Sequence, residues 1–454
     1  MFKNSLSLIV IVLIGAFLLK TIYTDKFWRI DFVIKSDAVS YYEYLTATLI
    51  EKDLSLQFVD DAKTPNHEKY MYQKLPGNIN FNKYTCGMAI MHSPFFLIAY
   101  SLAPYFDQPR DGYADIFEIA LLVGCIFYSC LGLFFLRKVL LRYFKDSLVA
   151  MTIIIIAIGT NLMLYTTGEP GMTHPYSFCM ISIFMWFVIK WYEKPGFKNS
   201  LFLGISGGLV ILLRPSDAIV WMLFPLFNVG GIKQFNERIL FLLKHFKHLA
   251  IILLMIFVVL APQLYYWKCI TGHWFFYSYG NEGFYFTHPH IIDGLFGYRN
   301  GWFVYTPIMI FAVTGFFLLR KYVPEFALFI PVFFILNTYI ILSWWCWWYS
   351  GCGNRAFIDS YGIMALPICA TFKFISQNSV VRSFLLISVI SLLTYINWYQ
   401  QWQYKYGLLH WAAMTKESYW AIFMKDQKPA GYDNLLKEPD NESALKYGRE
   451  SREK

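Results

Sequence analysis

The chain has few charged residues, which make up 15% of its 454 residues, whereas soluble domains contain about 25%. Hydrophobic residues account for 57% and aromatic residues for 20%, and the mean hydropathy is +0.42. Water is therefore not the main solvent of this chain. Short-period repeats, low-complexity tracts and a separate soluble catalytic domain are also lacking. The 39 lysines and arginines are scattered through loops, which argues against a nucleic-acid partner.

The eight cysteines lack the spacing of a metal site, because no CxxC or Cys/His pattern is present. A structural zinc ion is therefore not predicted. Cys346 and Cys352 share one loop, and two interpretations stay open for them. They are either two free thiols or, in an oxidising compartment, a disulfide pair.

Long apolar runs recur between short polar loops, and a membrane span needs roughly 20 such residues. Eleven runs are present, at residues 5–23, 115–136, 148–166, 174–191, 200–213, 218–230, 249–267, 302–319, 323–343, 356–372 and 379–398. The first lacks a clear small-residue cleavage site and is predicted to be an uncleaved span. The sequence thus predicts an all-α integral membrane protein with about eleven transmembrane helices over residues 1–400, followed by a polar tail at 401–454.

The distribution of lysine and arginine predicts the orientation, because cytoplasmic loops are enriched in both. The basic loops are residues 137–145, 190–198, 233–247, 320–321 and 373–382. All fall on one side if the N-terminus is cytoplasmic, and the C-terminal tail is then outside the cell. The apolar segment Met88–Ala103 would break this pattern as a span. It is short and contains Pro94, so it is predicted to be an interfacial or re-entrant helix within a first outer loop at residues 24–114.

Two arms of about 14 residues enclose the sequence Arg214-Pro215-Ser216-Asp217. At 1.5 Å per residue each arm is shorter than the hydrocarbon core, so the apex is predicted to lie below the outer lipid surface. Embedded charges are functional candidates by default. The other interpretation is that Arg214 and Asp217 only pair with each other.

The first outer loop opens with Ser36-Asp37-Ala38, followed by apolar positions at helical spacing. This pattern predicts an amphipathic helix lying on the membrane. Asp37 at its start is either an N-cap or a catalytic base, and the two roles are compatible. Asp31 and Glu43 lie nearby, so the choice of base is not unique.

A tight turn after the third run presents Glu169 and His174 at the outer side. These residues are either an ordinary loop or a pair for metal ligation or acid/base chemistry. His92, in the re-entrant segment, is a weaker candidate for the same group, because a single histidine on an apolar helix is usually packed.

Two later outer loops carry Arg299 and Arg355 among many aromatic residues. A tryptophan-rich cluster at an interface needs no ligand to explain it. An arginine in a loop poor in other cations is well suited to bind phosphate oxygens through its planar fork. A lipid phosphate is the expected ligand near the outer surface.

These residues together resemble the polytopic bacterial glycosyltransferases of the C-type fold, which are related to protein O-mannosyltransferases and lipid A aminoarabinose transferases. The resemblance covers residues 1 to about 370. The matching motifs are Ser36-Asp37-Ala38 with Tyr41-Tyr42, Lys83-Tyr84-Thr85-Cys86-Gly87 leading into Pro94, Arg214-Pro215-Ser216-Asp217, Gly301-Trp302-Phe303-Val304-Tyr305-Thr306-Pro307, and Gly351-Cys352-Gly353-Asn354-Arg355. Each is short, but their order and common side of the membrane make the match fairly specific.

The resemblance implies a bacterial inner-membrane enzyme of cell-envelope glycan assembly. It would move a sugar from a polyprenyl-phosphate donor to a lipid, glycan or protein acceptor at the outer leaflet, usually with inversion. Asp37 would be the general base, and Arg214, Arg299 and Arg355 would bind the lipid phosphate. Some relatives bind a divalent cation, for which Glu169 and His174 are the candidate ligands here, and Asp217 and His92 are further pocket candidates. The main alternative is a transporter or flippase for a lipid-linked glycan or small solute, although only one broken helix is visible, at Pro215.

Overall fold

The computed structural model describes residues 5–30, 33–61, 66–377 and 379–451, and most of these are helical. The α-helices are, in chain order, α1 (Leu6–Asp25), α2 (Phe27–Ile30), α3 (Asp37–Leu49), α4 (Gly87–Leu102), α5 (Asp115–Leu140), α6 (Asp146–Ile158), α7 (Leu162–Thr167), α8 (His174–Glu193), α9 (Phe197–Leu213), α10 (Leu223–Leu226), α11 (Ile232–Lys244), α12 (Phe246–Thr271), α13 (Ile291–Phe296), α14 (Trp302–Tyr305), α15 (Ile310–Gly315), α16 (Leu319–Tyr322), α17 (Phe329–Leu342), α18 (Tyr361–Ser376), α19 (Val380–Lys405), α20 (Lys416–Ile422) and α21 (Asn441–Tyr447).

Short 3₁₀ helices join or extend these elements. They are Gln57–Asp60, His67–Lys69, Ala103–Phe106, Pro215–Met222, Pro307–Met309, Phe316–Leu318, Pro324–Phe326, Arg355–Ser360 and Tyr432–Leu435. Within the first loop, β1 (Gln73–Leu75) and β2 (Ile79–Phe81) form an antiparallel hairpin that pairs Gln73 with Phe81. This hairpin is an addition to the predicted all-α architecture.

Seven helical segments of the described chain are long and apolar enough to cross a membrane. They are Leu6–Asp25, Gly87–Phe106, Asp115–Leu140, Phe246–Thr271, Pro324–Leu342, Arg355–Ser376 and Val380–Lys405. Asp146–Ile158, Phe197–Leu213 and Pro215–Leu226 are shorter apolar helices. A chain of apolar spans is therefore confirmed, and the number eleven stays a prediction.

Several predicted runs are interrupted in the structure. Residues 302–319 consist of α14, α15 and two 3₁₀ helices, and residues 148–166 are divided between α6 and α7. Prolines at 307 and 324 begin 3₁₀ turns, because proline fixes φ and removes a backbone donor. Hydropathy finds the apolar run but does not show these breaks.

The segment predicted to be re-entrant is longer than the sequence indicated. Gly87–Phe106 is helical throughout, with α4 continuing directly into a 3₁₀ turn, and its length and hydropathy suit a complete span. The argument from shortness is therefore wrong. The side of the membrane assigned to each loop depends on this count and stays a prediction.

The predicted amphipathic helix exists as α3, but it is not buried on one side only. Of the expected apolar positions, Ala38, Tyr42 and Leu45 are buried and Leu49 is 39% exposed. Ser40 and Glu43, on other sides of the helix, are also buried. The rest of the first loop and α4 enclose α3. Protein, rather than lipid, therefore covers most of this helix.

The interior is organised around α18. In the 18-residue apolar stretch of Arg355–Ser376, 83% of the residues are buried, compared with 17% in the corresponding stretches of α12 and α19. α18 packs against α15, α6 and α19, while α8 lies against both α5 and α9. The 3₁₀ turn before α18 begins at Arg355, so the most enclosed helix positions that arginine.

The C-terminal segment, residues 408–451, is docked on the loops of the predicted outer side rather than solvated throughout. Ala412 and Ile422 are fully buried. The carbonyl of Trp411 accepts hydrogen bonds from the backbone of Gly351, at 3.0 Å, and from the side chain of Asn300, at 2.9 Å. This segment therefore supports the loops that precede Arg355. All eight cysteines are free thiols, so Cys346 and Cys352 are not paired.

Candidate active site

An ion pair joins two residues that are 318 positions apart in the sequence. Arg355 Nη2 donates to Asp37 Oδ2 at 2.6 Å, and the Tyr84 hydroxyl donates to Asp37 Oδ1 at 2.9 Å. The side chain of Asp37 is 26% exposed and that of Arg355 is 14% exposed. We call these three residues the outer centre. Asp37 is the first residue of α3, and its described partners are side chains rather than the helix backbone, so its carboxylate serves this centre and not an N-cap.

The turn that carries Glu169 packs directly against the start of α3. A Cβ atom at Gly171 would lie 2.4 Å from the Cβ of Ala38, closer than any real contact. Met172 of the same turn places its sulfur 3.7 Å from Arg355 Nη1. Glycine at 171 therefore permits the contact that brings this turn beside Asp37 and Arg355.

The segment Lys83–Gly87 connects the outer centre to the end of α9. The Thr85 hydroxyl donates to the carbonyl of Leu212 at 2.6 Å, and the backbone of Cys86 donates to Gln263 at 2.8 Å. A Cβ at Gly87 would lie 2.6 Å from the same Leu212 carbonyl oxygen. Tyr84 is thus fixed by the residues that immediately precede Arg214.

Buried polar side chains hold the loop before Arg355. Asn161 donates to the carbonyls of Cys352, at 2.9 Å, and Gly353, at 3.0 Å. The backbone of Cys352 donates to the Tyr165 hydroxyl at 3.1 Å. Gly353 has a φ of +67° with its α-carbon against Tyr305, a conformation and a closeness that favour glycine. These hydrogen bonds fix the loop that carries the guanidinium of Arg355.

Two carboxyl groups near Arg355 have pKa values displaced in opposite directions. Burial raises the pKa of Asp37, but the charge of Arg355 and the hydrogen bonds from Tyr84 and Arg355 outweigh burial and hold it below its ordinary value. Burial raises the pKa of Glu169 above its ordinary value, and Arg355 and a hydrogen bond from Tyr404 offset only part of that effect. Of the two carboxyl groups, Asp37 is therefore the one whose ionised form its surroundings favour.

Glu169 is held from the far end of the chain. The Tyr404 hydroxyl, near the end of α19, donates to Glu169 Oε1 at 2.8 Å. His174 has a different partner, because its Nδ1 lies 3.0 Å from Asp359 Oδ1. The predicted pair of Glu169 and His174 is thus divided between two sets of contacts.

A second charged group lies around Arg214 and is more deeply buried. Arg214 Nε is 3.1 Å from Asp359 Oδ2 and 3.9 Å from Asp217 Oδ1, and Arg214 Nη1 is 3.3 Å from His174 Nδ1. The side chains of His174, Asp359 and Asp217 are 2%, 5% and 7% exposed. We call these four residues the inner cluster. Asp359, rather than Asp217, is the closer partner of Arg214.

Arg299 is not brought into either group. Its Nη1 is paired with Glu450 at 2.9 Å, its Nη2 donates to the Lys437 carbonyl at 3.2 Å, and its guanidinium lies 5.5 Å from the ring of Trp348. These contacts hold Arg299 to the C-terminal segment, and its predicted role beside Arg355 at the lipid phosphate stays a prediction. The position of the C-terminal segment, which the guanidinium of Arg299 binds, could not be predicted from the sequence.

His92 also lies apart from the outer centre. It is 3% exposed, its ring packs 5.0 Å from that of Tyr176, and neither ring nitrogen has a hydrogen-bond partner among the described residues. Of the other candidate bases, Glu43 is fully buried with Oε2 bonded to the backbone of Met71 at 3.0 Å, and Asp31 lies outside the described residues.

A metal site at Glu169 and His174 does not fit the donor set. Within the described ranges, no three His, Cys, Asp or Glu side chains meet in a way that could hold a metal ion. Glu169 is bonded to Tyr404, and His174 is bonded to Asp359.

Sequence reasoning does not identify Tyr84 of the outer centre, Asp359 of the inner cluster or Tyr404, which contacts Glu169, as site residues. Tyr84 lies inside the motif Lys83-Tyr84-Thr85-Cys86-Gly87 and Asp359 lies four residues after Arg355, but nothing in their spacing indicates which residue they meet. Tyr404 lies in a polar stretch at the end of the last apolar run, and its contact with Glu169 spans 235 residues. Contacts of this range need the fold.

Comparison with known proteins gives matches of structure only. An oligosaccharyltransferase from Archaeoglobus fulgidus in the apo form superposes with a TM-score of 0.50 at 15% identity. The archaeal oligosaccharyltransferase AglB from Archaeoglobus fulgidus, in complex with an inhibitory peptide and a dolichol-phosphate, gives a TM-score of 0.50 at 13% identity. Each match covers 98% of this chain and 60% of the other, so this chain spans less than two thirds of their length.

No family model and no curated protein matches the sequence. The structural likeness extends over nearly the whole of this chain. The chain therefore has the fold of the archaeal oligosaccharyltransferases, in agreement with the C-type glycosyltransferase fold that its motifs predict.

Proposed function

We propose that this protein is a membrane glycosyltransferase that moves a sugar from a polyprenyl-phosphate donor to a lipid, glycan or protein acceptor. The reaction would take place at the outer leaflet of a bacterial inner membrane. The observation that carries the proposal is the outer centre, in which a partly exposed carboxylate and a guanidinium meet on a C-type fold.

Such a transfer needs a base for the acceptor and a cation for the leaving group. Asp37 would take the proton of the acceptor hydroxyl or amide while that acceptor atom forms a bond to the anomeric carbon. The bond between the anomeric carbon and the phosphate oxygen breaks, and the electron pair leaves with polyprenyl phosphate. Arg355 would stabilise the negative charge that develops on that phosphate.

The ion pair with Arg355 links donor binding to the strength of the base. Arg355 now lowers the pKa of Asp37, which makes this carboxylate a weak base. The phosphodiester of the donor, which carries one negative charge, would compete for the guanidinium, because phosphate oxygens accept the same paired hydrogen bonds as a carboxylate. As Arg355 turns toward the phosphate, the pKa of Asp37 would rise, and the base would become stronger only once the donor is bound.

Arg214 would support the phosphate from the inner cluster. Its side chain is 16% exposed, whereas its acidic partners are almost fully enclosed. Asp359 would act as a positioning residue, because it holds both Arg214 and His174. Arg299 has no place in this proposal other than to anchor the C-terminal segment.

The test is to reconstitute the full chain in liposomes with polyprenyl-phosphate donors that carry labelled sugars. A glycosyltransferase releases polyprenyl phosphate and transfers the label to an acceptor from envelope lipid, glycan or peptide fractions. We expect release of polyprenyl phosphate that depends on both the protein and the acceptor.

The matched comparison is the movement of intact donor across the same liposomes. A transporter or flippase would carry the labelled lipid to the opposite leaflet without breaking the bond to the sugar. Protein-dependent movement of intact donor with no release of polyprenyl phosphate would contradict the proposed function.

A further inference from the structure

Helix α11 differs from the other long helices of the described chain. Among helices of ten or more residues, it is the one with no buried side chain. It begins at Ile232, ends at Lys244 and is separated from the apolar helix α12 only by His245. A helix of 13 residues is only marginally stable in water on its own. Helix α11 therefore needs a stabilising surface beyond its few contacts with the rest of the protein.

One side of α11 is fixed to the protein. The guanidinium of Arg238 lies 3.8 Å from the ring centre of Tyr192 and donates to the Phe227 carbonyl. Phe241 packs at 6.0 Å from Trp191 on the same side. These contacts hold the helix against α8 and the end of α10, so its orientation is defined.

A second side is apolar and unpacked. Ile232 is 77% exposed, Leu240 is 68% exposed and Leu243 is 62% exposed. They stand at positions i, i+8 and i+11, which lie on one side of a helix. The apolar side does not stop at His245, because Phe246, Leu253 and Phe257 of α12 are similarly exposed.

A third side is basic. Lys233 and Lys244 of α11 and Lys247 at the start of α12 are exposed, and none of them has an ion pair with a described residue. The single acidic residue of α11, Glu237, lies between them in sequence. Free cations beside an exposed apolar side form a surface that fits an apolar layer bordered by negative charge.

We propose that α11 lies in the membrane surface, with its apolar side in the hydrocarbon and Lys233, Lys244 and Lys247 bound to anionic lipid headgroups. The apolar side of α11 is continuous with the exposed surface of α12, which is long and apolar enough to span a bilayer. Lipid can therefore cover both helices without a boundary. This proposal does not depend on sugar transfer.

The apolar side is tested by depth measurement in the full chain. Spin labels are placed at Leu243→Cys and, as the control, at Glu237→Cys, in a Cys269→Ser background that removes the exposed native thiol. In nanodiscs of phosphatidylglycerol and phosphatidylcholine, we expect label 243 to be reached by oxygen and shielded from a water-soluble relaxant, with the reverse for label 237. Equal access of the water-soluble relaxant to both labels would overturn the proposal. This is also the result expected if the apolar side binds a protein partner instead of lipid.

The basic side is tested by lipid retention. The triple variant K233Q/K244Q/K247Q is compared with K416Q/K425Q/K428Q, which removes the same charge from exposed lysines of the C-terminal segment. After extraction from equimolar phosphatidylglycerol and phosphatidylcholine, the lipids that remain bound are counted by native mass spectrometry. We expect the first variant to lose preference for phosphatidylglycerol, by up to about fivefold per lysine, and the second to retain it.

Equal loss in both triple variants would show that net charge alone sets the preference, and it would overturn the assignment to α11. Unchanged retention in K233Q/K244Q/K247Q would overturn it as well. Size-exclusion elution and thermal melting of each variant show that the chain is folded when its lipids are counted.

Discussion

The outer centre and the inner cluster are both built on an arginine, but their carboxylates differ in access to solvent. The carboxylate of Asp37 is 26% exposed, while those of Asp359 and Asp217 are 5% and 7% exposed. Asp37 has one cation and one hydroxyl as partners, whereas Asp359 is shared between Arg214 and His174. A substrate can therefore reach the first carboxylate but not the second.

This difference indicates a division of roles. A carboxylate that exchanges a proton with a substrate must meet it, and a single ion pair can be given up when a phosphate arrives. A carboxylate enclosed between two partners is expensive to release, so it fixes the side chains around it. The same residue types thus serve reaction in one place and positioning in the other.

Among the residues around Asp37, the largest effect is expected from Arg355→Gln. Loss of the cation would lower the rate of polyprenyl phosphate release by roughly 10²- to 10³-fold, the cost of removing one preorganised donor to a developing anion. Arg299→Gln is the matched control, because it makes the same chemical change at an arginine that is paired with Glu450. Equal losses in the two variants would remove the distinction between these arginines.

The next effect concerns stability and is expected from Asp359→Asn. It removes one charge from a buried group and leaves the longer contact to Asp217 as the remaining ion pair of Arg214 with a described carboxylate, so we expect a loss of about 3 kcal/mol in the free energy of unfolding. Thermal melting in detergent measures it. Asp217→Asn serves as the comparison, and its effect should be smaller because its ion pair is 3.9 Å long. A larger effect at Asp217 would reverse the order of the two partners.

A smaller effect is expected from Tyr84→Phe. The hydroxyl stabilises ionised Asp37, so its removal raises the pKa of Asp37. Transfer needs the ionised form, and the fall in rate on acidification should begin at a higher pH, with a loss of less than about tenfold at neutral pH. The pH profile of polyprenyl phosphate release measures this shift. If the acidic side of the pH profile is unchanged, protonation of Asp37 does not control the rate of transfer.

The lowered pKa of Asp37 also makes the stability of the fold depend on pH. Because the folded protein holds the pKa of Asp37 below its ordinary value, the ionised carboxylate stabilises the fold above the unfolded-state pKa. That contribution is lost as the pH falls through the folded-state pKa. The melting temperatures of the parent protein and Asp37→Asn should therefore converge only as the pH falls through and below the ordinary pKa of an aspartate.

The smallest effect is expected from Glu450→Gln. The pair with Arg299 is 11–12% exposed and fastens the C-terminal segment, so we expect a loss of about 1 kcal/mol in stability and an unchanged rate of transfer. Melting and transfer assays on one preparation check both. A large loss of transfer would return Arg299 to the site.

The sequence predicted part of this comparison well. Apolar runs and the break at Pro215 are local features, and both are present in the structure. The burial of α3 was not predictable, because a helical period shows that one side avoids water but not whether protein or lipid covers it. The first loop, with its β hairpin, folds over this helix instead.

Arg299 and Arg355 could not be separated by sequence reasoning. Both lie in glycine-containing loops rich in aromatic residues, and both were assigned to the lipid phosphate. What separates them is distant in the chain, because Glu450 is 151 residues from Arg299 and Asp37 is 318 residues from Arg355. Charge and local motif indicate which kind of group an arginine can bind. Only the fold shows which residue it pairs with.

The central claim is that Asp37 accepts the proton of the acceptor, and Asp37→Asn tests it most directly. The control is Asp60→Asn, which removes an exposed carboxylate from the same loop. We expect Asp37→Asn to be inserted, folded and able to bind donor, but to release polyprenyl phosphate roughly 10²- to 10⁴-fold more slowly, while Asp60→Asn retains the parent rate. Transfer by Asp37→Asn at the parent rate would contradict the account.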